Sequence, residues 1–470
     1  GAAFWLSFGA SFILLRIYQS LQEQQHTPIA KNDWAYHQQK IKRATWLLWQ
    51  SQWKIFIALF PLTMIFFQKV SWLAPFVNLV AIPILGACIV PLNMLAAVVH
   101  FIYADLAALL WQIVEIFINI LLALLNFFDR AFDASLTAFA FTSLMLVLLC
   151  IIIALLLLPK GVLPKSWVIA VIAIIAVSLY QDHRTEIHIL DIGQGQAIYL
   201  KDAQYHALID TGGYYDEERF SIGQNVVVPF LLRQGVKQLD DVILSHLDND
   251  HIGALPYIAK DIDIQNIRTN ESLKQQIEFQ QDDDYQTLLT LPEQLCLAGQ
   301  HWQLSPNFDV QVLSPNTHDT QLIRQNRNEY SCVLYLTVQN VHGDYRHFLF
   351  MGDAGWQTEQ EIMQRYPHLP VDVLVVGHHG SRHSSLPEFV AHYRPKLAIA
   401  SAGFNNRYGH PHQDVVDIFK NLNIPFISTI EQGTIRFAQH KQTAQWTWSA
   451  YRQQLPWLQR EQTQKHNANE

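Results

Sequence analysis

Apolar runs long enough to cross a bilayer recur through residues 1–180 and then stop. A helix needs about 20 predominantly apolar residues to span the hydrocarbon core. The runs place spans near 2–18, 45–67, 72–96, 98–126, 139–158 and 166–180, of which the first and last are short. Pro75, Pro83 and Pro91 predict kinks in the run at 72–96 and leave the boundaries between 72 and 126 open. A proline inside a spanning helix frees carbonyls that then need partners, so broken or re-entrant helices are the alternative there. The chain opens on GAAFWLSFGASFILLR, apolar from residue 2 and without a signal-peptide pattern, which predicts a start inside a larger membrane protein. The expected organisation is a multi-pass α-helical membrane domain over 1–180, a soluble domain over 181–457 and a polar, disordered tail over 458–470.

Charge divides at the same place. Residues 1–180 carry ten Lys/Arg and six Asp/Glu, net +4; the remainder carries 22 and 34, net −12, and the two sum to −8. An acidic soluble half lacks the basic footprint of an ordinary nucleic-acid binder. Basic residues collect in short cytoplasmic loops of membrane proteins. Lys31, Lys40, Lys42 and Arg43 follow the first span, and Lys160 and Lys165 precede the last. Four expected spans separate the two loops, so both lie on one side, and the final span delivers the soluble domain to the opposite, extracytoplasmic side. Cys88 and Cys150 sit in apolar runs as packing residues. Cys296 and Cys332 form no zinc-finger spacing, and one bridge between them requires an oxidising compartment.

Within the run from 98 to 130, Asp105, Gln112, Asn119 and Asn126 recur every seven residues, with Glu115 between them. At helical spacing they share a face. That face is a seam between packed helices, an amphipathic surface, or the wall of a water-filled path, since ionisable groups at membrane depth are costly and usually functional.

The soluble half has its densest chemistry in DDVILSHLDNDHIGAL, residues 240–255. An apolar run leads into His246, Asp248, Asp250 and His251, and a small-residue step follows. The pattern predicts a buried strand, a ligand loop and a helix. Alternate residues point the same way, and the adjacent Asp250–His251 pair can serve a second ion, so the spacing suits two metals. The competing reading is a charged turn in which Ser245 or Asp248 caps the helix. Two further strand-to-loop junctions count against it. LFMGDAG ends in Asp353, and VDVLVVGHHGS ends in His378 and His379. Arg324, Arg327, Asn328 and Ser331 precede a later strand, and Arg382, His383, Ser384, Arg407, Tyr408 and His410 lie beyond the last junction. These residue types bind phosphate oxygens and are also common in solvated loops. GQGQ at 193–196 reads as a tight hairpin rather than a nucleotide loop, because no helix follows it.

FWLSFGA, PFVNLVAIP, LDIGQG, DTGG, SHLDNDHIGA, NRNEYSCVL, MGDAG, HHGSRHSS and RYGHPH stand in an order that resembles the ComEC family of competence DNA-uptake proteins. The resemblance covers nearly the whole chain; the family's further N-terminal soluble domain is not in this sequence. It implies an αββα metallo-β-lactamase-like domain behind the membrane region, with two divalent metal ions. The family's His-x-His-x-Asp-His motif falls on His246, Asp248, Asp250 and His251, its bridging carboxylate on Asp353, and its last histidine ligand on His378 or His379. His379 is the preferred ligand and His378 the phosphate contact. Asp248 stands where many relatives have histidine, and Asn328 or Ser331 where broader hydrolases have another. The resulting oxygen-rich set favours Mn²⁺ or Mg²⁺, with Zn²⁺ the alternative.

The resemblance implies a bacterial cytoplasmic-membrane protein that internalises DNA during natural transformation, with metal-dependent hydrolysis of the non-transported strand. Asp250, His378 and His410 are the candidate catalytic residues. The implied partners are DNA, membrane lipid and other DNA-uptake proteins. Two other readings fit the residues: a DNA channel with an inactive metallo-β-lactamase-like binding domain, and a membrane-anchored phosphodiesterase for another substrate.

Overall fold

The computed structural model describes residues 33–132, 136–157, 162–180, 184–216, 220–275, 288–439 and 445–454, with Phe8, Ser11 and Leu15. The expected span at 2–18 and the tail at 458–470 lie outside them, apart from those three positions. The chain falls into two compact units: Gly1–Val177 with Leu232–Gly235, and Ser178–Leu231 with Val236–Glu470.

The first unit is helical. Helix α1 runs Asp33–Phe67, α2 Ala74–Pro83, α3 Val90–His100, α4 Ala104–Ala131, α5 Ser143–Leu157 and α6 Trp167–Tyr180. The prolines do not break the second of these regions. A π-helical turn, Ile84–Ile89, joins α2 to α3, and the Val90 amide reaches back to the Leu85 carbonyl, five residues away. Pro91, which has no amide to donate, follows this turn directly, and Pro75 sits in the first turn of α2 where its missing N–H costs nothing. Ala74–His100 and Ala104–Ala131 are long and apolar enough to cross a membrane; Ser143–Ile153 and Trp167–Val177 are shorter apolar helices. Most exposed large hydrophobic side chains belong to this unit, among them Val98, Ile116, Ile120 and Ile169.

On α4, Ala107, Val114 and Leu121 are buried, and Val114 and Leu121 pack with Ala81 and Ile89. At about 100° per residue these three lie half a turn from Asp105, Gln112, Asn119 and Asn126. All four polar positions are exposed. The polar face is therefore not a seam between helices among the described residues.

The second unit is a sandwich of two sheets. Its strands are β1 Thr185–Ile189, β2 Ile198–Asp202, β3 Tyr205–Ile209, β4 Gln238–Leu244, β5 Asp263–Thr269, β6 Glu293–Leu295, β7 His301–Gln303, β8 Phe308–Ser314, β9 Val333–Val338, β10 His347–Phe350, β11 Val373–Val375, β12 Leu397–Ala400, β13 Phe426–Ser428, β14 Ile435–Gln439 and β15 Trp446–Ala450. One sheet has the order β6-β5-β4-β3-β2-β1-β14-β15 and the other β7-β8-β9-β10-β11-β12-β13. Strands β3 to β6 are parallel neighbours, as are β10 to β13. Between the sheets, Ile187, Ile198, Leu200 and Ile243 meet Phe308, Leu334, Phe348, Phe350 and Ile399. Each such side chain contributes about 1.5–3 kcal/mol by leaving water. The Cys296–Cys332 disulfide lies in the same core.

Both outer faces are covered. Val242 and Leu244 alternate with Ile243 and are equally buried, as a strand with two packed faces requires. On the other sheet, Leu349, Tyr335 and Ala398 pack with Ile362 of helix α7 (Trp356–Arg365), Phe389 of α8 (Pro387–Tyr393) and Phe419 of α9 (Gln413–Asn421). The architecture is αββα, and parallel strands direct the loops after β4, β10, β11 and β12 to one edge.

Candidate metal centre

The loop after β4 carries Ser245, His246 and Asp248, and a one-turn helix, Asn249–Ile252, carries Asp250 and His251. Asp353 follows β10 by three residues. Gly352 precedes it at φ 57°, and a Cβ there would lie 2.7 Å from that of Ser245, so glycine sets both the turn and the approach. After β11 both His378 and His379 adopt left-handed conformations, φ 49° and 56°. Two consecutive non-glycine residues in that region each cost about 1–3 kcal/mol, and such strain clusters at functional sites. Gly377 lets this turn pass against the Ala354 carbonyl.

Asp250, His251, Asp353 and His379 bring one donor atom each within 4.8 Å of one another, a group that could hold a metal ion. Asp353 stands at the middle and turns its two oxygens to different neighbours. Oδ1 lies 3.0 Å from His251 Nε2 and 3.5 Å from His379 Nε2. Oδ2 lies 3.9 Å from His246 Nε2 and 3.7 Å from His378 Nε2. Asp250 Oδ2 is 3.3 Å from His379 Nε2. His246, His251, Asp353 and His379 are buried, yet His246 Nε2, His251 Nε2, His379 Nε2 and Asp353 Oδ1 make no hydrogen bond. Buried polar atoms are nearly always paired. Four unpaired atoms gathered around the two oxygens of one carboxylate fit divalent cations.

The far sides of the rings are held. Asp210, at φ 56° after β3, takes the Ser245 amide on Oδ1 at 2.6 Å and the Gln196 side-chain amide on Oδ2 at 3.0 Å. Its Oδ2 also lies 2.8 Å from His251 Nδ1. His379 Nδ1 donates to the Ser401 carbonyl at 2.8 Å. His246 Nδ1 meets the Ser245 hydroxyl at 3.0 Å. With Nδ1 donating, Nε2 is the nitrogen that each ring turns to a metal. Burial disfavours a charged His251, but Asp353 and Asp210 outweigh it and raise its pKa well above the ordinary value. Burial would push Asp353 up, but His251 and His379 overcome it and hold its carboxylate far below the usual range. Burial and His251 press His246 down to about 4.

Asp248 is not in the four-residue cluster. Its carboxylate is 3.7 Å from His246 Nε2 and 3.3 Å from the Arg327 guanidinium, whose Nε lies 3.0 Å from Glu271 Oε1. Arg324 pairs with the other oxygen of that buried glutamate. Asn328 Nδ2 is 3.4 Å from His378 Nδ1, and the Ser331 hydroxyl accepts from the Asp353 amide. His410 stands outside the donors, its ring 5.7 Å from that of His378 and 6.4 Å from that of His379. Burial, then His379 and His378, hold His410 down to about 4, so it is neutral at pH 7. Asp210 and Glu271 were missed as site residues in the sequence; only the DTGG turn pointed towards the first.

Two family models match this chain: competence protein over residues 1–161 and metallo-beta-lactamase superfamily over 190–403. The fold and buried donor set thus define a metallo-β-lactamase-type domain behind a competence-protein region. Both regions, in this order, are similar to those of ComEC-type competence proteins. It is 33% identical to ComE operon protein 3 of Bacillus subtilis over 268 residues, 54% of this chain and 33% of that protein. It is 28% identical to competence protein ComA of Neisseria gonorrhoeae over 396 residues, 83% of this chain and 51% of that one. The chain therefore spans between a third and about half of these two relatives. Among solved structures, the metallo-beta-lactamase fold protein YhfI of Bacillus subtilis aligns with 52% of this chain and 95% of its own, at 12% identity and a TM-score of 0.34.

Proposed function

We propose that the chain serves DNA internalisation across the cytoplasmic membrane during natural transformation, and that its second unit hydrolyses phosphodiester bonds of the non-transported strand. The observation that carries this reading is the set of buried, unpaired donors around Asp353, joined in one chain to a competence-protein region. His246, Asp248, Asp250, His251, Asp353 and His379 would hold two divalent ions, with Asp353 shared between them and Mn²⁺ or Mg²⁺ favoured by the oxygen ligands. When bound, such ions acidify water and screen charge developing on a phosphoryl group. The chain's own residues do the rest. Asp250 orients the attacking water. His410, neutral through burial, donates a hydrogen bond to a phosphoryl oxygen, and His378 supplies the proton for the departing oxygen as the P–O bond breaks.

The first unit is read as a multi-pass region, with DNA, lipid and other DNA-uptake proteins as its partners. Helices α1 to α4 and α5 supply the spans between the basic loops. The Cys296–Cys332 bridge supports an extracytoplasmic second unit, because disulfides persist in oxidising compartments. The Arg327–Asp248 pairing favours a second reading, a non-hydrolytic binding domain, since it draws one ligand towards a cation already present.

The test uses the full chain in detergent with Mn²⁺, Mg²⁺ or Zn²⁺ and single- or double-stranded DNA. Cleavage with Mn²⁺ or Mg²⁺ that disappears in Asp250→Ala and Asp353→Ala is expected. Bound ions without cleavage of either DNA would select the binding-domain reading.

A further inference from the structure

Beside the metal centre, Arg407 and Tyr408 form the common wall of two grooves. One, of about 330 Å³, is lined by Asp250, Asn249 and Gln194. The other, of about 780 Å³, is lined by Arg382, His383, His410 and His412. The wall is joined to the metal centre by a ladder of rings. The Tyr408 ring lies 5.7 Å from that of His410 and only 23° from parallel; the His410 ring lies 5.7 Å from that of His378, whose Nε2 is 3.7 Å from Asp353 Oδ2. Tyr408 is 52% exposed, and the Arg407 guanidinium over its ring extends the flat surface that the wall presents.

This wall is held in place although it belongs to no helix or strand. The Arg407 guanidinium sits 4.7 Å from the Tyr408 ring centroid and donates to its hydroxyl. Asn406 ties the loop underneath: its side-chain amide donates to the Gly403 carbonyl at 2.8 Å and the His410 carbonyl at 2.6 Å, and its oxygen accepts from the His410 amide at 2.9 Å. Gly409 makes the turn at φ 66°. An aromatic ring fixed before binding loses little freedom when a ligand stacks on it.

The two grooves differ in charge. The first ends at Asp250 of the metal centre. Arg407 borders both, and the second adds Arg382, whose guanidinium lies 2.6 Å from His412 Nε2, with Asp414 beside His412 as an opposing carboxylate. In a domain of strongly acidic balance, this is a local basic channel. An aromatic ledge between a reaction centre and a basic groove matches the way single strands are bound, with bases on rings and phosphates in the groove. A paired base inside a duplex has both faces stacked and cannot reach such a ledge.

We propose that Arg407 and Tyr408 form a nucleobase-stacking ledge, with the Arg382 groove taking the next phosphate, so that the site selects an unpaired DNA strand. The proposal rests on the phosphodiester reading of the metal centre and adds to it the residues that choose the strand.

The test measures binding by the full chain in detergent with Ca²⁺, using fluorescein-labelled oligomers of equal length: single-stranded DNA, an abasic strand and a duplex. Tyr408→Ala is expected to weaken single-strand binding by roughly tenfold or more, to leave the abasic strand and duplex unchanged, and to be rescued by Tyr408→Phe. Equal losses on the abasic strand, no loss on the single strand, or no binding of any oligomer by the unaltered chain would overturn the ledge. Cleavage with Mn²⁺ or Mg²⁺ is scored separately. A ledge effect on binding without any cleavage sinks the hydrolase reading alone; cleavage whose KM is indifferent to Tyr408→Ala sinks the ledge alone.

Discussion

Asp353 and Asp210 work at the two ends of the same imidazole. Asp353 Oδ1 faces His251 Nε2, and Asp210 Oδ2 faces His251 Nδ1. The second contact fixes which ring nitrogen keeps its proton when a cation takes the place of the other. Asp210→Asn keeps the shape but removes the charge. It is expected to weaken Mn²⁺ affinity by about 10–100-fold with the fold intact, read by calorimetric titration and circular dichroism. Asp353→Ala removes both central oxygens. It is expected to abolish tight binding of either ion, measured as metal retained after dialysis; retention of two ions per chain would contradict the shared-carboxylate reading.

Loops and helices hold these residues together through contacts that are themselves testable. Cys332 lies just before β9, one residue after Ser331, whose hydroxyl accepts from the Asp353 amide. The bridge to Cys296 closes a separation of 36 residues. Replacing both cysteines with alanine is expected to cost about 2–4 kcal/mol, seen as a lower Tm under non-reducing conditions. Glu359 on α7 accepts from the Ser385 and Leu386 amides, tying the helix after Asp353 to the loop after His379. Burial pushes its pKa up to about 7, against the pull of those amides and with help from Glu329. A raised carboxyl pKa means more protons bound when folded, so its stabilisation is complete below the unfolded value near 4.5 and is lost as pH rises through about 7. The Tm of the unaltered chain should therefore fall relative to Glu359→Gln between about pH 5 and 8. A constant gap would mean that the carboxyl does not titrate there.

Across the whole molecule, apolar and polar surfaces are sorted by unit. Exposed leucine, isoleucine, valine and phenylalanine side chains crowd the first unit, while the second closes its apolar residues into two cores. In the first unit the stripe of Asp105, Gln112, Asn119 and Asn126 is exposed on α4, opposite that helix's buried face. A polar face in an apolar helix is expensive in lipid and points to water, a polar partner or a transported chain. Asp105→Ala with Glu115→Ala is expected to depress transformation frequency at unchanged protein level. Normal uptake by that variant would remove the stripe from the transport path.

Much of the donor set was legible because its residues sit at strand ends with side-chain spacings that repeat: His246, Asp250 and His251 within one loop, then Asp353 and the His378–His379 pair at two more junctions. Long apolar runs made the helical unit equally legible, since bilayer thickness and helix rise leave little freedom of length. What the sequence could not contain was the meeting of distant segments. Asp210 stands 41 residues before His251, and Glu271 acts on Asp248 only through Arg327. His379 rather than His378 joins the four-residue donor group, and the Ser401 carbonyl fixes its Nδ1 side. The proline-rich region likewise stays helical through a π-helical turn, where local rules left a broken helix as the alternative. Residue type and period determined which groups were present and which elements bore them. Packing of the parallel strands decided which groups share a point in space, because a donor's role depends on neighbours that local propensity does not specify.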